Sequence, residues 1–445
     1  MLYKILPLFT FLCLLCAPSQ GMAVEKVDDS TTLARQYIDF ALTACDKTEK
    51  NLPAITKIAE VLAKRYIAGG NFIPLYNDGK FPGQGTVYEV ECRSGGVMFR
   101  GAKPGEINPQ NFGIMGWQRD PSPKDLEILQ KQREKGLYVV GFGPKGLPSL
   151  AEHVKLCDAW LDTGFGSNDS VLAIFKGRAG RANNLVNILN SWALMTEFVA
   201  ACTREGKMPF MYLSVVHRGN DWNKNHLNQG DGFHDDLKIA PIPAGVLARR
   251  YLDTIRELIK RFADTQLPVV EKAADLIAAE TFAGRRTVVA YLGHSFNNSV
   301  GVAEDKVWAD YIDFFNFYGY ANPSSMLQYV KKTPNDALVL RVDHTGMHFN
   351  DWCVYVGKNQ RVIHLSGPND PKIRPDMQPP KDWPLVSIDM GYEFGDAIVS
   401  IEGYPFKVFP ASGVMQTVAY ECINIEALNR LHKLEAAKAD SAPAK

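Results

Sequence analysis

Charge of one sign is missing from this sequence: 49 lysines and arginines stand against 49 aspartates and glutamates. Without a basic excess there is no electrostatic footprint for nucleic acid or for an anionic membrane surface. Beyond the first 23 residues, where Cys13 and Cys16 stand in an apolar run, CxxC spacing is missing too. Eight cysteines are scattered: Cys13 and Cys16 near the start, then Cys45, Cys92, Cys157, Cys202, Cys353 and Cys422. This excludes a zinc cluster of the usual spacing. The thiols read as buried and free in a large core, with one or two disulfides open if the compartment is oxidising. After the first turns of the chain, no segment reads as apolar enough to span a bilayer. What is present is ordinary globular material, 46% hydrophobic and 22% charged over 445 residues, enough for two or three cored domains.

The chain opens MLYKILPLFTFLCLLCAPSQGMAVEK. Lys4 supplies a weak positive start, Leu6 to Cys16 an apolar core, and Gly21 and Ala23 a small-x-small cleavage pattern. A signal peptide over residues 1–23 is expected, with an exported, periplasmic or secreted product. Leu15 stands where a lipoprotein signal wants a small residue.

The sequence then repeats itself. LPAITKIAEVLAKRYIAGG begins at Leu52, and LPVVEKAADLIAAETFAGR begins at Leu267, 215 residues later. Both have apolar residues at helical spacing, and each runs into a short apolar strand, NFIPLY or TVVAYL. EKGLYVVGFGP is answered by GKNQRVIHLSGP, and AWLDTGFGSNDSVLAIFKG by LVSIDMGYEFGDAIVSIEG. Each copy closes on a long helix, from Leu185 and from Val414. Continuous apolar strands such as ALVLRV suit parallel sheets covered on both faces. The expected fold is α/β, with two doubly wound parallel-sheet, flavodoxin-like three-layer domains related by pseudo-twofold symmetry. Their expected bounds are 34–215 and 248–432, with a polar interdomain loop at 216–247 and a disordered tail at 433–445.

The order of features resembles the SIS (sugar isomerase) domain, particularly uncharacterised phosphosugar-binding members and N-acetylmuramic acid 6-phosphate etherase-like proteins. The carrying motifs are the long helix ending in Gly, the strand opening into YLGHS, the second strand ending in VDHTG, the third strand RVIHLSG, the EFGDAIVSIEG segment and the closing helix introduced by PASGVMQTV. The resemblance implies a phosphosugar held at the carboxyl ends of the strands. It carries a ligand-binding role onto Gly293, Ser295, Thr345, Gly346, Ser366 and Ser412; Asn297 and Asn298 extend the first of these loops. Backbone N–H groups and hydroxyls can hold such an anion without a lysine. Ser412 is equally a helix cap by type. The second loop departs from the family's Ser-rich form: it reads DHTGMHFND, and its first-half counterpart is WQRDPSPKD. Asp343 would repel a phosphate unless turned away. The loops therefore suit a neutral sugar as well.

Sugar isomerisation and β-elimination need a base beside a carbonyl and an acid at the oxygen. The candidates are His294, His344 and Glu304, with Asp343 and His348 behind them, and Glu89 and Glu91 in the first half. For the glutamates the plainer reading is a solvated helix face. No cofactor and no metal are expected, although His344 and His348 at i,i+4, or the linker's His217, Asp221, His226, Asp231, His234, Asp235 and Asp236, carry the atoms for one. The function expected is binding of a sugar or sugar-phosphate derivative, with aldose–ketose isomerase or sugar lyase/etherase activity. The alternative is a non-catalytic exported carbohydrate-binding protein with degenerate sites. The partner expected is a small-molecule sugar, with neither nucleic acid nor membrane span, and a homo-oligomer is open.

Overall fold

The computed structural model describes residues 31–75, 89–90, 94–100, 108–117, 120–166, 169–214, 220–226, 232–291, 307–313, 336–343, 361–367 and 385–441. The expected leader lies outside them. Helix α1 (Leu33–Lys50) starts at Thr32, whose hydroxyl accepts the Arg35 N–H, and carries Lys47 and Lys50 in its last turn, where cations suit the helix dipole. It stops at Asn51. Helix α2 (Leu52–Ile67) restarts with Pro53 in its first turn, where a missing N–H matters least.

The first sheet is all parallel, in the order β1 (Phe72–Pro74), β2 (Phe112–Gly116), β3 (Tyr138–Gly143), β4 (Ala159–Asp162). Helices α3 (Pro123–Glu134) and α4 (Ala151–Leu156) link its later strands. On one face, Met115, Trp117 and Val139 pack with Leu129, Leu147 and Leu150. On the other, Phe112, Ile114 and Val140 meet the main core. An antiparallel hairpin, β5 (Ser170–Ala173) and β6 (Arg178–Arg181), leads into the closing helix α5 (Asn183–Arg204).

After the short α6 (Asn220–His226), the second half opens with α7 (Val246–Phe282). Its Leu-Pro pair repeats the one at the start of α2, yet here Pro268 lies inside an unbroken helix of 37 residues. The preceding residue types differ: Asn51 competes for backbone groups and stops a helix, whereas Gln266 does not. The second sheet is also all parallel, in the order β11 (Val386–Asp389), β10 (Arg361–Ser366), β9 (Leu338–Val342), β7 (Thr287–Tyr291), β8 (Asp310–Asp313). A second hairpin, β12 (Ala397–Val399) and β13 (Val408–Pro410), leads into α8 (Ser412–Asp440). Apart from β8, which has no described counterpart in the first half, the two halves follow one element order, and the expected α/β fold with two parallel sheets holds.

Four expectations are corrected. First, the halves do not have separate cores: one cluster joins α1, α5, α7 and α8 with the inner faces of both sheets. Second, the 216–247 segment is not simply a polar loop. Phe233 is buried in that cluster, Trp222, Leu237, Ile239 and Ile242 pack against it, and α6 is helical. Third, the tail does not begin at 433, because α8 continues to Asp440. LEAAKAD is rich in strong helix formers, and the packed helix before it removes the nucleation cost. Fourth, Asn183–Arg204 is long and apolar enough to cross a membrane by composition, but it is enclosed by protein along its length.

Cys45, Cys202 and Cys422 are buried and Cys157 half-buried, and all four are free. Burial pushes the Cys45 and Cys157 thiols up to about 12, so both are inert at neutral pH. Cys92 and Cys353 lie outside the described residues.

Candidate functional site

In the first sheet the described strands follow one another in chain order. In the second the order reverses: β7 is flanked by β8 on one side and β9 on the other. In open α/β sheets ligands are held where the strand order reverses, which here is at the carboxyl ends of β7 and β9. Tyr291 and Val342, the last residues of these strands, are register partners. The expected site residues Gly293, His294, Ser295, Asn297, Asn298 and Glu304 follow β7, and His344, Thr345 and Gly346 follow β9. All nine lie outside the described residues, as do His348 and Glu91. Their launching strands lie side by side.

The described part of this edge holds a buried charged group. Along β9, Leu338, Leu340 and Val342 face the core. Arg341 and Asp343 therefore project from the opposite face. Both are 0% exposed. The Arg341 guanidinium grips the Asp343 carboxylate with two bonds, Nε–Oδ2 at 2.8 Å and Nη2–Oδ1 at 2.7 Å. His364 is the register partner of Arg341 on β10, and its Nε2 lies 3.1 Å from Asp343 Oδ2. Burial works against the Asp343 charge, but Arg341 and the His364 hydrogen bond outweigh it and hold the carboxyl well below its usual range.

This changes two expectations about Asp343. Its charge is matched by Arg341, so the repulsion expected for a phosphate is cancelled at source. A carboxylate held that strongly ionised is also a poor proton acceptor near neutral pH, which removes Asp343 as a general base. What it does instead is orient an imidazole, the usual support for a proton-transferring histidine.

Ser366 ends β10 on the His364 face, half-buried, and pairs in register with the exposed Asp389. It stands on the open edge. Ser412 is placed differently. It is fully buried, and its hydroxyl donates to Asp396 Oδ2 at 2.5 Å. Asp396 Oδ1 also accepts the Ser412 and Ala411 N–H groups, at 2.7 and 3.1 Å. Ser412 is thus engaged within the fold, but not as a cap: Ala411 holds the N-cap position of α8, and the Ser412 hydroxyl is spent as a donor to Asp396. Asp169 does for α5 what Asp396 does for α8, accepting the Asn183 N–H at 2.9 Å.

Glu89 is not on a solvated face. It is fully buried, accepts Trp192 Nε1 at 3.0 Å, and lies against Gly413, where a Cβ would sit 2.0 Å from its Oε1. The first-half edge is filled by Trp117, which stacks on Trp160 at 5.4 Å and donates from Nε1 to Asp125 at 3.1 Å. In the linker, His234 bonds Asp236 at 2.9 Å and Tyr404 at 3.2 Å, while Trp222 stacks on His226 at 4.0 Å. Among the described residues no group of three or more His, Cys, Asp or Glu is placed to hold a metal.

Sequence reasoning passed over Arg341 and His364, because each hides in an apolar strand. The available signal was a charged residue interrupting ALVLRV, since arginine is almost never fully buried unless paired.

No family model matches the sequence, and no curated protein does. Among solved structures it is similar to a candidate phosphosugar isomerase from Clostridium difficile 630, at 12% identity and a TM-score of 0.46 over 93% of this chain and 96% of that one. It is also similar to a candidate sugar binding protein from Salmonella typhimurium LT2, at 11% identity and a TM-score of 0.42 over 90% and 99% of the two chains. A third is the C-terminal domain of glucosamine-fructose-6-phosphate aminotransferase from Francisella tularensis, at 10% identity and a TM-score of 0.42 over 87% and 96%.

Proposed function

We propose that the second half binds a sugar or sugar derivative in the crevice at the carboxyl ends of β7 and β9. The observation that carries this reading is the reversal of strand order at β7, absent from the described strands of the first sheet. Both loops leaving the crevice are rich in hydroxyl, amide and imidazole groups in sequence, from Gly293 to Asn298 and from His344 to Gly346. Such groups hydrogen-bond sugar hydroxyls. The first half, its edge filled by Trp117, acts as the scaffold.

The finer reading is an aldose–ketose isomerase or a sugar lyase/etherase. Its support is the Asp343–His364 pair, a carboxylate orienting an imidazole on the same edge. A non-catalytic carbohydrate-binding protein is the second reading, favoured by the commitment of Asp343 and Ser412 to internal bonds.

A thermal-shift screen of the protein against glucose, galactose, mannose, N-acetylglucosamine and their 6-phosphates separates the possibilities. Ligand at 100 times its Kd should stabilise the fold by about 2.7 kcal/mol, a readily measured rise. No shift with any of them would remove the sugar reading. A shift confined to the 6-phosphates would show that an anion is required.

We also place the mature chain outside the cytosol, on the leader pattern of residues 1–23. Produced with that leader in a secreting bacterium, the exported protein should have an intact mass lacking those residues. A full-length mass would end this reading.

A further inference from the structure

The first helix of each half carries a cation at the same place. RQYID in α1 is answered by RRYLD in α7, 214 residues later, and at that spacing Lys47 is answered by Arg261. The turn that each cation meets is repeated too. Asp162 ends β4 and accepts the Gly164 N–H at 2.9 Å; Asp389 ends β11 and accepts the Gly391 N–H at 2.8 Å. Both glycines have a left-handed backbone, φ +74° and +79°. Neither has room for a side chain: a Cβ on Gly164 would meet Lys47 Nζ, and one on Gly391 would lie 2.8 Å from Arg261 Nη2. The missing Cβ is what lets the cation come down onto the turn.

The two cations are used differently. Lys47 is spent: its Nζ donates to the Thr163 carbonyl at 2.7 Å and sits over the Phe165 ring at 4.9 Å. Among the described residues the Arg261 guanidinium has no hydrogen bond, ion pair or ring contact, and neither does the Glu257 carboxylate. Opposite charges four residues apart on a helix ordinarily pair. Here Arg261 lies on Gly391 instead, and Glu257 is left alone. Both line a cavity of about 350 Å³ between α7 and the turn after β11, a volume within the range of small-molecule sites. Leu258 and Ile398 give the cavity an apolar wall, and Lys407 and Glu393 stand at it as an ion pair of 2.5 Å. The outer strand β11 is separated from β9 by β10, so this cavity is not the β7–β9 position.

We propose that the cavity is a second small-molecule site, and that it takes a free α-amino acid with an apolar side chain. Arg261 grips the carboxylate through paired N–H donors, Glu257 receives the ammonium, and the side chain lies on Leu258 and Ile398. The charges select this class. The walls carry two charges of each sign. A bare anion would face Glu257 and Glu393, and a metal ion would face Arg261 and Lys407. A ligand carrying both signs complements the free cation and the free carboxylate together. In the first half the corresponding cation is already bound to the chain's own carbonyl, which leaves the second half as the binding side. The inference does not rest on the sugar-binding reading.

The test is a thermal-shift and calorimetric titration of the protein with L-leucine, L-methionine and L-phenylalanine, repeated on Arg261→Gln and Glu257→Gln. Both side chains are exposed, so without ligand each variant should melt with the wild type. At least one of the three amino acids should raise the wild-type melting temperature. Each variant should bind it about tenfold more weakly or worse, the loss expected when a charge-assisted bond is removed. The N-acetyl and the amide derivatives of that amino acid should lose affinity for the wild type to a similar degree. No shift with any of the three overturns the inference, and so does unchanged affinity in either variant. Derivatives that bind as well as the parent amino acid overturn it as well. If Arg261→Gln melts markedly lower without ligand, Arg261 serves the fold itself and the inference again fails.

Discussion

Asp343→Ala is expected to destabilise the fold by about 3–5 kcal/mol, the usual loss when one partner of a buried ion pair is removed. The reason is local. Arg341 is 0% exposed, and without the carboxylate its charge stays in a site that water does not reach. Adding Arg341→Met should recover most of the loss, because a buried pair replaced by packed apolar groups is often neutral. Urea denaturation of the single and double variants checks both. A single-variant loss under 1 kcal/mol would mean that the charge is compensated elsewhere.

The same group gives the pH dependence a direction. Asp343 has a depressed folded pKa, so its contribution is complete above the ordinary carboxylate range and is lost as the pH falls. Glu280 behaves alike at the opposite edge of the sheet. Hydrogen bonds from Arg285 and Arg361 bring it down to about 2, against burial acting the other way. Stability should therefore fall steadily below about pH 4. A melting temperature that holds constant from pH 5 to pH 2 would contradict both assignments.

The second large effect belongs to Asp396. Asp396→Ala leaves two donors at the start of α8 without an acceptor, the Ser412 N–H and the Ser412 hydroxyl, while the Ala411 N–H keeps the Asp396 backbone carbonyl at 3.0 Å. Asp396 also has φ +73°, a backbone region that alanine disfavours and asparagine tolerates. A loss of about 3 kcal/mol is expected for Asp396→Ala, and about 1 kcal/mol for Asp396→Asn, which keeps an acceptor oxygen and the backbone. Asp169→Ala is a built-in comparison: it removes the α5 cap with no positive φ at that position. It should lie between the two. Equal losses for alanine and asparagine at 396 would remove both arguments.

Much of the fold could be read from residue order. LPAITKIAEVLAKRYI and LVLRV have the periodicities of the elements they form, and the repeat gave both halves one plan. What escaped depends on tertiary context. Pro268 is carried within a helix because the residues before it do not compete for the backbone. Glu89 looked solvated by pattern, and only the approach of α8 buries it. The shared core was invisible because amphipathic α1 and α7 show which face is apolar but not what covers it. The strand β8 is only four residues long, Asp310–Asp313, with an aspartate at each end. For the site, sequence indicated the right edges of the right strands. It could not supply Arg341 or His364, whose meaning lies in what they touch.

The two capping aspartates have a consequence for ligand charge. A helix start draws anions because its leading N–H groups are unsatisfied. At α5 and α8 the chain has installed a carboxylate of its own in that seat. A visiting phosphate would find each post manned by a resident counter-ion. Unless Asp396 or Asp169 yields its place, these two helices have no net attraction left to lend. A sugar bound as proposed would gain nothing from these two helix starts, and its affinity should show little sensitivity to added salt.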